Sequence, residues 1–200
     1  MIDPQNIVIR PENRESALEP GKLFGRPGPI SLEVDLGCGK GRFLLARANA
    51  FRETCFLGID RRRQRIEKVG RAVQRNGLEN VRLVCAEAFF TVTNLIPENS
   101  VSAYYIFFPD PWPKRRHHRR RLFSPEFLDA VNRTLRSGGK IHVATDHLDY
   151  FSIIRNILAA DRRFSEIETF VPAEHERTNF EILFLGQNKP IGRCSFRGNP

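Results

Sequence analysis

The chain has 200 residues, 32 of them basic and 23 acidic, for a net charge of +9. This length suits one domain with a real core, and the positive balance favours an anionic partner, nucleic acid or an acidic membrane surface. No apolar run approaches a membrane span and the N-terminus lacks the apolar core of a signal peptide, so a cytoplasmic protein with no membrane partner is expected. Cys38, Cys55, Cys85 and Cys194 show neither metal-ligand spacing nor a dense disulfide pattern and read as reduced, mostly buried thiols.

Met1 to Pro29 holds five prolines and three glycines without sustained periodicity and reads as an irregular N-terminal arm. From Ile30 to Pro190 strand and helix patterns alternate, the mark of an α/β domain, with residues 191–200 as a tail. Ser31 to Leu36 reads as the first buried strand, Gly37-Cys38-Gly39-Lys40-Gly41 as a turn, and Phe43, Leu44 and Ala48 as the start of a helical stripe. Strand, glycine turn and helix together open a doubly wound, Rossmann-like nucleotide-binding sheet. A dinucleotide fingerprint needs a third glycine at position 42, where this chain has Arg42. Asp35 stands two residues before Gly37, a place ill suited to pyrophosphate but compatible with the cationic methionine end of S-adenosylmethionine.

Cys55 to Asp60 is the second strand and ends in an acid about twenty residues past the glycines, where a carboxylate can accept both ribose hydroxyls of an adenosine. Asp60 also precedes the helix predicted over Arg61 to Asn76, so capping is a second and compatible role. In that helix Ile66, Val69 and Val73 form the apolar face, and Asn76-Gly77 ends it. Val81 to Cys85 is the third strand. Glu87, just beyond it, stands where an adenine amine can be held.

The fourth strand, Val101 to Phe108, runs into Pro109-Asp110-Pro111-Trp112-Pro113-Lys114 and then Arg115-Arg116-His117-His118-Arg119-Arg120-Arg121. Prolines at alternate positions forbid helix and central strand alike, because each fixes φ and lacks an N–H. They hold Asp110 and Trp112 in a stiff loop at a strand's carboxyl end, where α/β proteins keep their sites. Six Lys or Arg within the eight positions 114–121 point to a polyanion; a solvated face is the plainer alternative. Trp112 either stacks on a base or buttresses the loop.

Ser124-Pro125-Glu126 starts a helix with Phe127, Leu128, Val131 and Leu135 on its core face. Arg136 to Lys140 is a turn into a fifth strand, Ile141 to Ala144, which ends at Thr145-Asp146; His142 alternates with core positions and reads as structural. Phe151 to Leu158 is helical, Phe164 to Phe170 reads as a sixth strand and Ile182 to Leu185 as a seventh, preceded by a polar loop, Glu174 to Glu181. Glu174, His175 and Glu181 match no common metal spacing, so no metal is expected.

Asp35-Leu36-Gly37-Cys38-Gly39-Lys40-Gly41, with Asp60 and the Arg136 to Lys140 turn, resembles the class I S-adenosylmethionine methyltransferases. The string Phe108 to Lys114, with Thr145-Asp146 and Thr178-Asn179-Phe180-Glu181, resembles the tRNA (guanine-N7)-methyltransferases within that class. The likeness runs from Ile30 to Gln187. It implies a seven-stranded, mostly parallel sheet with an antiparallel last strand, and methylation of guanine 46 in the variable loop of tRNA. It also implies S-adenosylmethionine held by Asp35, Gly37, Gly39, Asp60, Glu87 and Asp110, with Asp110 catalytic. Lys114, Asp146, Thr178, Asn179, Phe180 and Glu181 are implied to contact the substrate, and neither a monomer nor a homodimer is singled out. Two other functions remain open: an amino-group nucleic-acid methyltransferase, which would want a second proline where Trp112 stands, and a non-catalytic RNA-binding module on the same scaffold.

Overall fold

The computed structural model describes residues 7–11, 18–28 and 30–199. Five buried strands supply the parallel core: β2 (Leu32–Leu36), β3 (Cys55–Ile59), β4 (Val81–Val84), β5 (Val101–Phe107) and β6 (Leu135–Thr145). With β1 (Val8–Ile9), β7 (Phe164–Ile167) and β8 (Gly192–Gly198) they form one sheet in the order β1-β4-β3-β2-β5-β6-β8-β7. β8 runs antiparallel to both neighbours. Helices α2 (Arg42–Ala50), α3 (Arg63–Arg75), α4 (Ala88–Asn94), α5 (Pro125–Thr134) and α6 (Leu148–Ala160) join the strands. Order runs outward in opposite directions from β2 and β5, so the helices leaving these two strands diverge. A crevice opens there at the carboxyl ends, the usual ligand position of such sheets.

Where the arm is described, it belongs to the body. Val8 and Ile9 pair with Leu83 and Val84 and add an eighth strand to the seven expected. Helix α1 (Pro20–Phe24) buries Phe24, and Leu18 donates its N–H to the Leu95 carbonyl at 2.7 Å. Residues 1–6, 12–17 and 29 of the arm lie outside the described residues.

The strand expected at Ile182 to Leu185 is instead helix α7 (Asn179–Gly186). Thr178 caps it, its Oγ1 accepting from the Glu181 N–H at 3.0 Å. Thr-x-x-Glu before an apolar run is a capping signature, and it overrides the strand-like look of four apolar residues. The last strand lies in the stretch read as a tail: β8 buries Cys194 and Phe196 and pairs in register with β6, His142 opposite Ser195. Its glycines and arginines hide the alternation. In β6, Leu135 pairs with Val101 and Lys140 with Ala103, so residues 136–139 bulge from the ladder and the expected turn sits inside the strand.

Candidate active site

The carboxyl ends of β2 to β6 place Asp35 and the glycine turn, Asp60, Glu87, the Pro-rich loop and Asp146 along one edge of the sheet. Gly37 and Gly39 have φ of 84° and 56°, and a Cβ on either would meet no side chain within 4 Å. This is a left-handed turn with open space over it, the form needed for a ligand to approach the backbone.

Asp60 is buried at the end of β3. Its Oδ2 accepts from the Gly39 N–H at 3.2 Å and faces Arg65 at 3.4 Å, while Oδ1 accepts from the Arg62 N–H at 2.8 Å. Helix α3 begins two residues later than expected with Arg62 at its cap, so Asp60 makes a turn ahead of the helix and ties it to the glycine turn. Asp35 is 5% exposed, and burial, then the nearby Asp60 charge, pushes its carboxyl up to about 7. Glu87 is exposed and caps α4, its two oxygens accepting from Phe89 and Phe90 N–H at 3.1 and 2.8 Å. Each oxygen keeps a second lone pair for a ligand donor.

The loop after β5 is bracketed by two aromatic residues in the left-handed region, Phe108 at φ 55° and Trp112 at φ 42°. Bulky residues adopt such φ at a cost of about 1–3 kcal/mol each, and such strain clusters at functional sites. Asp110, between them, is exposed and lies 3.7 Å from Arg61 of the β3–α3 turn. The loop is held from behind by Arg121, whose Nε donates to the Pro111 carbonyl at 2.8 Å and whose guanidinium stacks over Tyr150. Trp112 packs edge-on against His117 and under the Arg120 guanidinium, 4.9 Å from its ring centre, and so buttresses the basic turn. That turn, Arg115–Arg120, is a 3₁₀ helix with no buried residue.

The Thr178–Glu181 segment reaches the same edge. Arg42, at the start of α2, donates to the Arg177 carbonyl at 3.0 Å, and Phe180 and Phe184 lie 6.0 and 5.5 Å from the Phe108 ring. Glu181 is buried, with Arg193 of β8 donating to its Oε1 at 2.6 Å. Lys114 and Asn179 are exposed and Asp146 is half-buried. In the sequence Arg121 reads as one cation of the run that meets a polyanion, whereas here it holds the Pro-rich loop; neither Arg61 nor Arg193 is singled out there, and of these only Arg61, adjacent to Asp60, carries a positional hint.

His142 is a core group: its Nδ1 shares a 2.8 Å hydrogen bond with Ser195 Oγ, and burial, then Lys140 and Arg47, pushes its pKa down to about 4. A cavity of about 680 Å³ opens beside it, lined in part by Glu33, Arg47, Tyr105 and Phe170. Of its charged groups, Glu33 and Arg47 are engaged: Tyr105 Oη donates to Glu33 at 2.9 Å, and Arg47 meets Glu33 and, beyond the lining, Glu176, each at 3.4 Å.

Sheet order, glycine turn and the acids at successive strand ends are those of a Rossmann-like nucleotide-binding sheet. A family model described as "Putative methyltransferase" matches residues 30–192. Among solved structures, the 16S rRNA methyltransferase KamB aligns with a TM-score of 0.66 at 16% identity, covering 93% of this chain and 95% of that one. A "putative methyltransferase" from Streptococcus mutans in complex with SAH aligns with a TM-score of 0.55 at 12% identity, covering 85% and 89%.

Sequence relatives narrow the class. The tRNA (guanine-N(7)-)-methyltransferase of Halorhodospira halophila is 39% identical over 98% of this chain and 86% of its own length. That of Nitrosococcus oceani is 38% identical over 88% and 74%. The chain belongs to the tRNA (guanine-N(7)-)-methyltransferase family.

Proposed function

We propose that this chain transfers a methyl group from S-adenosylmethionine to N7 of guanine 46 in the variable loop of tRNA, giving 7-methylguanosine. The observation that carries this reading is the strained loop that presents Asp110 beside Arg61 and Asp60, at the edge where the glycine turn opens. Bound S-adenosylmethionine supplies an electrophilic methyl group on a sulfonium. The residues fit it: the glycine turn leaves open space over its backbone, and Asp60 would supply the ribose contacts, Glu87 the adenine amine contact and Asp35 a carboxylate toward the cationic end.

Guanine N7 carries a lone pair and no proton, so no strong base is required, and alignment and electrostatics do the chemistry. Asp110 accepts from the guanine ring N–H and amino group, exchanging Arg61 for the base, and its charge favours the cationic purine formed on transfer. Thr178 and Glu181 close the substrate side, Phe180 offers a half-exposed ring, and Lys114, Asn179 and Asp146 border the entry. The deciding experiment incubates the protein with unmodified tRNA and methyl-labelled cofactor in cytoplasm-like buffer, then analyses nucleosides. One 7-methylguanosine per tRNA, at the variable loop, is expected; label on an exocyclic amine, or binding without transfer, would overturn the reading.

Two tests address the cofactor. Asp60→Ala removes a buried charge-assisted acceptor, so affinity for S-adenosylmethionine should fall by about 1.5–3 kcal/mol; an unchanged calorimetric affinity would remove Asp60 from the site. Asp35 sets a pH dependence. In the free protein its carboxyl titrates near 7, and an adjacent cationic ligand favours the ionised form and lowers that value. Below pH 7 binding therefore requires loss of a proton, so affinity should rise from pH 6 to 8 and flatten above 7. Close to one proton should be released at pH 6 and almost none at pH 8, as read by calorimetry in buffers of different ionisation heat. Equal affinity across this range with no proton release would show that Asp35 does not meet the cation.

A further inference from the structure

Glu181 is the most deeply buried carboxylate at the substrate edge, its side chain 1% exposed. Only one of its oxygens is spoken for. Oε1 takes the 2.6 Å bond from Arg193 Nη2 and faces Arg177 Nε at 3.8 Å, whereas Oε2 is buried with no hydrogen-bond partner among the described residues. Leaving a buried charged acceptor open is costly, so an open lone pair in a site points to a donor that arrives with a reactant. Arg193 is itself 14% exposed, and β8 holds it opposite Ala144, next to the Thr145-Asp146 end of β6. Its backbone sits in the ladder, so its guanidinium approaches Glu181 from a rigid strand while Glu181 stands on the first turn of a short helix.

We propose that Arg193 is a positioning residue for methyl transfer: it fixes Glu181 through Oε1 and so holds Oε2 toward the donor of a bound reactant. This rests on the substrate reading of Glu181. The single charge-assisted bond from Arg193 Nη2 fixes the place of Oε1, while Arg193 Nη1 and Glu181 Oε2 both stay unpartnered among the described residues. Arg177 stands farther off and is more exposed, so it adds charge without directing the group.

The test measures single-turnover methyl transfer to unmodified tRNA at saturating cofactor for Glu181→Gln, Arg193→Gln, Arg193→Lys and the double variant Arg193→Gln/Glu181→Gln, each with a thermal melt. Glu181→Gln and Arg193→Gln should each slow transfer by about 10- to 100-fold with tRNA KM little changed, the pattern of impaired alignment. The double variant should be no slower than Glu181→Gln, because Arg193 acts only through that carboxylate. Arg193→Lys should recover part of the rate. Should Arg193→Gln fail to fold, the lysine variant and the double variant, which leaves no buried charge unpaired, still decide. Losses that multiply in the double variant, or a wild-type rate in Arg193→Gln beside a slow Glu181→Gln, overturn the role of Arg193 alone. A wild-type rate in Glu181→Gln overturns the substrate reading of Glu181 and this proposal with it.

Discussion

Asp110→Asn should slow single-turnover methyl transfer by about 10²-fold or more while leaving tRNA affinity nearly unchanged. Asparagine keeps the size and one acceptor oxygen, but loses the charge that favours a cationic purine and offers an amide donor where the guanine edge also donates. The loop should keep its shape, because its form is set by three prolines, by the Arg121 bond to the Pro111 carbonyl and by the Phe108 and Trp112 backbones, none of which involve the Asp110 side chain. Only the exposed ion pair with Arg61 disappears, and a pair so open to water contributes little to stability. The wild-type single-turnover rate should show no steep rise through neutral pH at saturating cofactor, since N7 has no proton to surrender. Transfer by Asp110→Asn at the wild-type rate would make Asp110 a structural residue.

The parts of this site that the sequence makes legible are those built from local chemistry. Asp35 with the glycines, Asp60 at a strand end and the alternate prolines each carry their geometry within a few residues, and parallel topology then brings them to one edge. What stayed hidden depends on contacts distant in sequence. Val8 and Ile9 become a strand only by pairing with β4, and no periodicity in so short a stretch announces it. Helix α7 exposes Ile182, Leu183 and Leu185, so its apolar residues follow no amphipathic stripe, and Thr178 with Glu181 was the surviving clue. Arg121 and Arg193 look like two more surface cations in a basic chain. Their roles appear only when Pro111 and Glu181 are seen at bonding distance. Glu87 shows the reverse: its carboxylate caps a helix as well as standing where an adenine contact is expected, a second duty that a single position in a sequence does not display.

Substituting Arg115, Arg116 and Arg119 together by glutamine should flatten the salt dependence of tRNA binding. These side chains are exposed and make no hydrogen bond or ion pair among the described residues, whereas Arg120 lies over Trp112 and Arg121 holds the Pro-rich loop. The three can thus be removed without disturbing the loop. Each cation–phosphate pairing abolished should lower the log–log slope of affinity against salt by roughly 0.7–0.9, so three remove about 2 to 3 units. Between 50 and 200 mM salt the wild type should then lose roughly 20- to 40-fold more affinity than the variant. Cofactor affinity and thermal midpoint should stay as they were, because no buried group is touched. The contrast with Asp110→Asn separates the two functions of this stretch: one variant binds tRNA and transfers slowly, the other binds weakly and transfers at the wild-type single-turnover rate once tRNA saturates. An identical salt slope in the triple variant would show that the run is a solvated face and that the tRNA backbone is gripped elsewhere.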